Sequence, residues 1–331
     1  MHKSLVRAAL AAGITLAPGA ALACACGCSI FDVGQGTFMP NNANSGVSIW
    51  ARIAYMDQNE NWEGDARAPS SDNSDKQINT TFYFFGGQYV INRQWTVMVE
   101  LPVFDRALTT TDDGTVAGPP GSIYTAHDFA LGDLELMGTY TGFSEDQSTG
   151  LGFGLKAPTG DWHGPRGPLG GQEIDRDTLP GTGSTDLILT GYHVGSLNKS
   201  DTLGYFVQAK YQVAVASQDQ YRPGNELDAA VGVTYDLGRI GPFTRVTPVL
   251  QLLNSYRAHD TGANADPLNS GYERVLIDPG LSVRIKHVRL DADVAIPIYQ
   301  HTNAAASPAV EGTAGQLVAG TLLKFQAAYD F

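Results

Sequence analysis

Apolar and polar residues alternate one by one along this chain, in segment after segment from about residue 46 to the last residue. In VSIWARIAYM, Val47, Ile49, Ala51, Ile53 and Tyr55 share one parity, and Ser48, Trp50 and Arg52 take the other. TLGYFVQAKYQVAV sends Leu203, Tyr205, Val207, Ala209, Tyr211 and Val213 one way and Gln208, Lys210 and Gln212 the other. VRLDADVAIPI sets Val288, Leu290, Ala292, Val294, Ile296 and Ile298 against Arg289, Asp291 and Asp293. A period of two is that of a β-strand with unlike faces. Such segments fall near 46–57, 76–91, 94–105, 128–142, 149–159, 183–196, 202–217, 225–238, 243–257, 271–286, 288–302 and 315–331, about twelve in all, and an even number suits a bacterial single-chain barrel.

The connections separate a barrel from a soluble sandwich. They alternate long and short: 58–75, then INRQ, then 106–127, FSEDQS, 159–182 and SLNKS. Outer-membrane barrels have long extracellular loops and short periplasmic turns, whereas a sandwich has no reason for that rhythm. The expected fold is therefore all-β, a transmembrane antiparallel barrel over 46–331 with its apolar parity toward lipid. The ending LKFQAAYDF fits the same reading. Leu317, Ala319, Leu323, Phe325, Ala327, Tyr329 and Phe331 share one parity, which would place Tyr329 and Phe331 in an aromatic girdle at the periplasmic interface. An aromatic terminus on a final strand also resembles the signal read by the barrel-assembly machinery.

At the other end, Lys3 and Arg7 precede an apolar run from Ala8 to Leu16 and small residues at Ala21 and Ala23, the pattern of a cleaved export signal over 1–23. A short segment, 24–45, then leads into the first strand, placed in the periplasm. It carries all three cysteines of the chain, Cys24, Cys26 and Cys28. Spaced by two, their thiols point the same way on an extended chain and could hold Cu(I), or Zn(II) with a fourth ligand. Lipidation of Cys24 and oxidation of two thiols are competing readings, favoured by the lack of a nearby histidine, and no cofactor is otherwise expected.

Several stretches, LGDLELMGTY (131–140), GFGLKAPTGD (152–161), LPGTGSTDL (179–187), DPGLSVRI (278–285) and DVAIPIYQ (293–300), resemble the outer-membrane transporter family labelled "MetA-pathway of phenol degradation". The likeness implies a barrel with a transport role. It does not specify the solute.

Other chemistries are disfavoured. A net charge of −13 argues against nucleic acid, which selects basic surfaces. GLGFGLK (150–156) lacks the strand-to-helix context of a phosphate loop, and no G-x-S-x-G, H-E-x-x-H or C-x-x-C-H occurs, so neither an enzyme nor a haem protein is expected. Parity turns Glu100, Asp133, Glu135, Lys156, Lys210, Arg245, Arg284, Lys286, Arg289, Asp291, Asp293 and Lys324 inward as candidate pore-lining residues, with Asp186, Asp228, Asp236, Arg257 and Asp278. Either these charges fill a closed lumen with ion pairs or they line a path for solute. The cluster Arg284, Lys286, Arg289, Asp291 and Asp293 is the first one to test. The resulting expectation is passive passage of small, hydrophobic or aromatic compounds, in contact with outer-membrane lipid and lipopolysaccharide. The competing expectation is a non-conducting barrel that presents the cysteines to a periplasmic partner.

Overall fold

A computed structural model describes residue 34 and residues 46–112, 118–163, 176–304 and 315–331. Cys24, Cys26 and Cys28 lie outside the described residues, as does the 1–23 stretch expected to be an export signal. The strands are β1 (Gly46–Glu63), β2 (Ala66–Arg67), β3 (Asp75–Asn92), β4 (Trp95–Thr111), β5 (Ile123–Leu131), β6 (Leu134–Tyr140), β7 (Thr149–Ala157), β8 (Thr185–Ser196), β9 (Leu203–Ala216), β10 (Glu226–Tyr235), β11 (Arg245–Arg257), β12 (Tyr272–Ile285), β13 (Val288–Thr302), β14 (Gln316–Ala319) and β15 (Leu322–Asp330). Neighbours pair antiparallel in chain order, and β1 closes the sheet by pairing β3 on one edge and β15 on the other. β5 and β6 lie end to end along β4, β14 and β15 lie end to end along β1, and β2 is a two-residue spur on β1. The wall is thus twelve strands around, with no free edge along its closure. Short turns gather at one end, with Gly46 and Phe331, and the long connections at the other.

Alternation decides which face is which. Ser48, Arg52, Ala54 and Met56 are buried, while Val47, Ile49, Ile53 and Tyr55 between them are exposed. Ile49 keeps 49% of its surface exposed and Phe85 52%, on a belt that continues through Phe153, Leu189, Val231, Leu250 and Phe325. An apolar surface of that extent is incompatible with water and suits the hydrocarbon of a bilayer. Tyr329 and Phe331 are exposed at the turn end, their ring centroids 4.8 Å apart.

Two strands expected to be continuous are broken. The 128–142 segment is β5 and β6, because pairing along β4 passes from Val103–Leu131 to Glu100–Glu135 and leaves an extra residue at Gly132–Asp133. Pro102, on β4 at that level, has no N–H to offer a continuous partner, and Gly132 instead donates its own N–H to the Pro102 carbonyl. The final segment breaks in the same way between β14 and β15, as pairing passes from Gln58–Ala319 to Tyr55–Leu323. One added residue reverses side-chain facing. Leu317 and Ala319, expected toward lipid, are therefore buried, and Leu317 packs with Ile78 and Leu108.

Two candidate pore residues also move. Lys286 occupies the two-residue turn between β12 and β13 with φ 53°, a left-handed position such hairpins require, and its side chain is exposed outside the lumen wall. Arg245, the first residue of β11, has inward parity but lies at the short-turn end of the barrel, where it is largely exposed and pairs with Asp236 at 2.9 Å.

Candidate functional site

Below the long connections, the lumen holds a cavity of about 140 Å³. One wall is aromatic. Phe82 and Phe84 on β3 point inward beside Phe104 on β4, with Phe82 and Phe104 edge to face at 5.2 Å. The sequence TTFYFFGG carries aromatics on both parities, so alternation alone does not reveal that two of them face the lumen. Apolar inward residues continue beyond the cavity through Ala54, Met56, Leu253, Leu276, Ala295 and Leu322. The lumen is therefore part apolar, and not the wholly polar interior of an aqueous porin.

The facing wall is polar and closely paired. Lys156 on β7 sits between Asp186 at 2.8 Å and Asp133 at 3.3 Å, with all three side chains nearly inaccessible. Asp133 also accepts from the Gly160 and Thr182 amides and the Thr182 hydroxyl, while Asp186 accepts from Ser184 and Gln212. These bonds draw together three stretches that are far apart in sequence: LGDLELMGTY, GFGLKAPTGD and LPGTGSTDL. Their glycines meet so closely that a Cβ on Gly181 would lie 2.5 Å from the Gly160 carbonyl carbon. Lys210 pairs with Glu135 at 3.0 Å, and Glu100 accepts from Arg52 and from the Trp50 indole, both at 2.9 Å. The Arg52 guanidinium lies over the Phe84 ring at 4.2 Å, joining the polar and aromatic walls.

Of the inward residues expected from parity, the structure brings Glu100, Asp133, Glu135, Lys156 and Lys210 to this cavity, with Asp186, Asp228 and Arg257. The rest fall elsewhere. Lys324 bridges Asp278 at 2.9 Å and Asp293 at 2.8 Å on the opposite wall. Arg284 pairs with Asp330 at 2.6 Å and Arg289 with Asp291 at 3.0 Å, toward the turn end. The cluster chosen from sequence because its residues lie on adjacent strands is thus separate from the cavity.

From above, the cavity is roofed by residues of two long connections. Leu179, Pro180 and Arg176 come from 158–184, and Tyr221, Pro223 and Gly224 from 217–225. Loop residues carry no alternation, so parity could not have found them. Lower in the lumen, the Gly34 amide donates to the inward-facing Gln208 side chain at 2.6 Å, and a Cβ there would meet the Gln251 amide oxygen at 3.0 Å.

No protein-family model matches the chain, and no curated protein sequence does. Solved structures do match in fold. The COG4313 outer membrane channel from Pseudomonas putida F1 superposes with a TM-score of 0.63 at 11% identity, over 90% of this chain and 100% of that one. The β domain of the Bordetella autotransporter BrkA follows at TM-score 0.45 and 11% identity, over 86% of this chain and 100% of that one. The CymD monoaromatic hydrocarbon channel gives TM-score 0.42 at 10% identity, over 87% of this chain and 89% of that one. At these identities the likeness is one of fold, and the first of them is a barrel matched over its whole length: this chain has the architecture of an outer-membrane β-barrel.

Proposed function

We propose that this protein resides in the outer membrane and passes small hydrophobic compounds, single-ring aromatics among them, through its lumen. The observation that carries the reading is the cavity whose phenylalanine wall faces a ring of paired charges. Its volume, about 140 Å³, is close to the roughly 150 Å³ of an apolar protein cavity that takes up benzene. Aromatic side chains offer a flat ligand stacking and edge contacts, and the paired carboxylates and ammonium groups offer its polar substituent hydrogen bonds. The fold match to an outer membrane channel supports the same reading. Gly34 itself reaches the lumen and narrows it beside Gln208 and Gln251.

The test is single-channel recording in planar bilayers. Phenol is expected to block the ion current in a concentration-dependent way while glucose does not, and Phe84→Ala should weaken the block about tenfold, the loss of roughly 1.4 kcal/mol of ring contact. Folded native barrels that conduct but show equal indifference to both solutes would refute the aromatic reading. Barrels that carry no current at all would favour the non-conducting alternative with its cysteine segment.

A further inference from the structure

The roof of the cavity is a contact between two bodies. On one side of the mouth, 217–225 and 258–271 interlock. Arg222 and Thr261 pair backbone to backbone, the Asn264 side-chain amide donates to the Asp219 carbonyl, and Gly262 lies so close that a Cβ there would collide with the Gln220 carbonyl oxygen. Asp219 and Gln220 adopt left-handed φ of 54° and 51°, which non-glycine residues hold only when their surroundings enforce it. This body presents Tyr221. Its hydroxyl donates to Asp260 at 2.7 Å, Asp260 accepts from Arg257 at 2.7 Å and from the Gly224 amide at 2.7 Å, and the Tyr221 side chain is 2% exposed. The ring is thus fixed in position.

On the other side, the residues from Arg176 to Ser184 approach as a strap. Arg106 of β4 donates to the Thr178 carbonyl, and Arg176 bonds the Gly181 carbonyl at 3.2 Å and the Thr182 carbonyl at 2.6 Å. The Arg176 guanidinium then lies over the Tyr221 ring at 4.5 Å. The strap is anchored to the wall and the ring to the interlocked loops, so this stack closes the space between them.

We infer that the Arg176–Tyr221 stack is the outer gate of the cavity, with Tyr221 the fixed jamb and the Arg176 side chain, carried by the anchored strap, the leaf. A cation on an aromatic face suits that role. The interaction is strong enough to hold the mouth shut when desolvated and weak enough to be replaced by an incoming ring competing for the same guanidinium face. Asp260 and Arg257 act as positioning residues for the ring. The gate rests on the reading of the cavity as a solute path, but its test needs no solute.

Ion current is recorded through the native protein, Arg176→Gln, Tyr221→Leu, the double variant and Tyr221→Phe, each shown to be folded by heat-modifiable migration. Removing either partner should raise the ratio of open to closed time about twofold to thirtyfold, the span of a cation–aromatic contact from an exposed to a desolvated setting. The double variant should add little to either single one, because both remove the same interaction. Tyr221→Phe keeps the ring and should stay nearer the native protein. Unchanged open times in folded Arg176→Gln would overturn the gate, and so would fully additive effects in the double variant; if Tyr221→Leu does not fold, Arg176→Gln decides alone. Enlarged ion current without phenol block in any form upholds the gate and removes the aromatic reading. Phenol block with open times indifferent to both substitutions does the reverse.

Discussion

Lys156 shows how single residues hold this lumen together. It is shared by two carboxylates, Asp133 and Asp186, in a place water barely reaches. Burying such a set contributes little net stability, because desolvation offsets attraction, yet removing the cation leaves two buried negative charges facing each other. Lys156→Met is therefore expected to lower the unfolding free energy by about 3–5 kcal/mol, read from denaturant unfolding in micelles, and adding Asp186→Asn should recover part of the loss. A folded Lys156→Met barrel of native stability would show that water or another group already compensates the pair. The turn-end charges behave differently. Arg284 is half-buried and paired with Asp330, whereas Lys286 projects from a turn into solvent. Neutralising Arg284 should shift the ion selectivity of the channel, measured as reversal potential in a salt gradient, and Lys286→Gln should leave it unchanged at physiological ionic strength, where exposed charges are screened beyond about 8 Å.

At the scale of elements, the broken strands matter more than the continuous ones. Where β5 gives way to β6, Asp133 leaves the ladder and its carboxylate gathers the turns after β7 and before β8. The backbone contact at Gly160 and Gly181 lets those turns approach; a methyl group at either position has backbone, not a flexible side chain, in its way. Gly181→Ala should therefore cost roughly 1–3 kcal/mol through forced backbone shifts, and it should lower the affinity of phenol block together with stability, since Thr182 and Asp186 line the cavity. Loss of stability with intact block would mean that the knot braces the wall without shaping the site. Three of the stretches singled out in the sequence, 131–140, 152–161 and 179–187, thus serve a common physical purpose here, although each is short and unremarkable alone.

For the whole molecule, closure depends on β1, the first strand of the ring, which pairs β3 on one edge and the last strand, β15, on the other. The Phe331 amide completes this seam by donating to the Val47 carbonyl at 2.9 Å. Phe331→Ser should keep that bond but remove the exposed ring, so the amount of folded barrel recovered from outer membranes should fall while the purified barrel's conductance stays native; equal recovery would show that the terminal ring has no part in assembly. Deleting residues 24–45 is the complementary experiment. If Gly34 marks a segment in the path, single-channel conductance should rise, and an unchanged conductance would place the segment outside it. Class, strand number within the ring, lipid-facing parity and inward charges such as Glu135, Lys156 and Lys210 were legible from sequence, because alternation is a local property that survives without knowledge of any partner. The bulges at Gly132 and Gly320, the inward phenylalanines and the roof of Arg176 and Tyr221 were not. Each depends on which residue stands opposite across a ladder or a mouth, and only closure of the sheet brings those residues within reach.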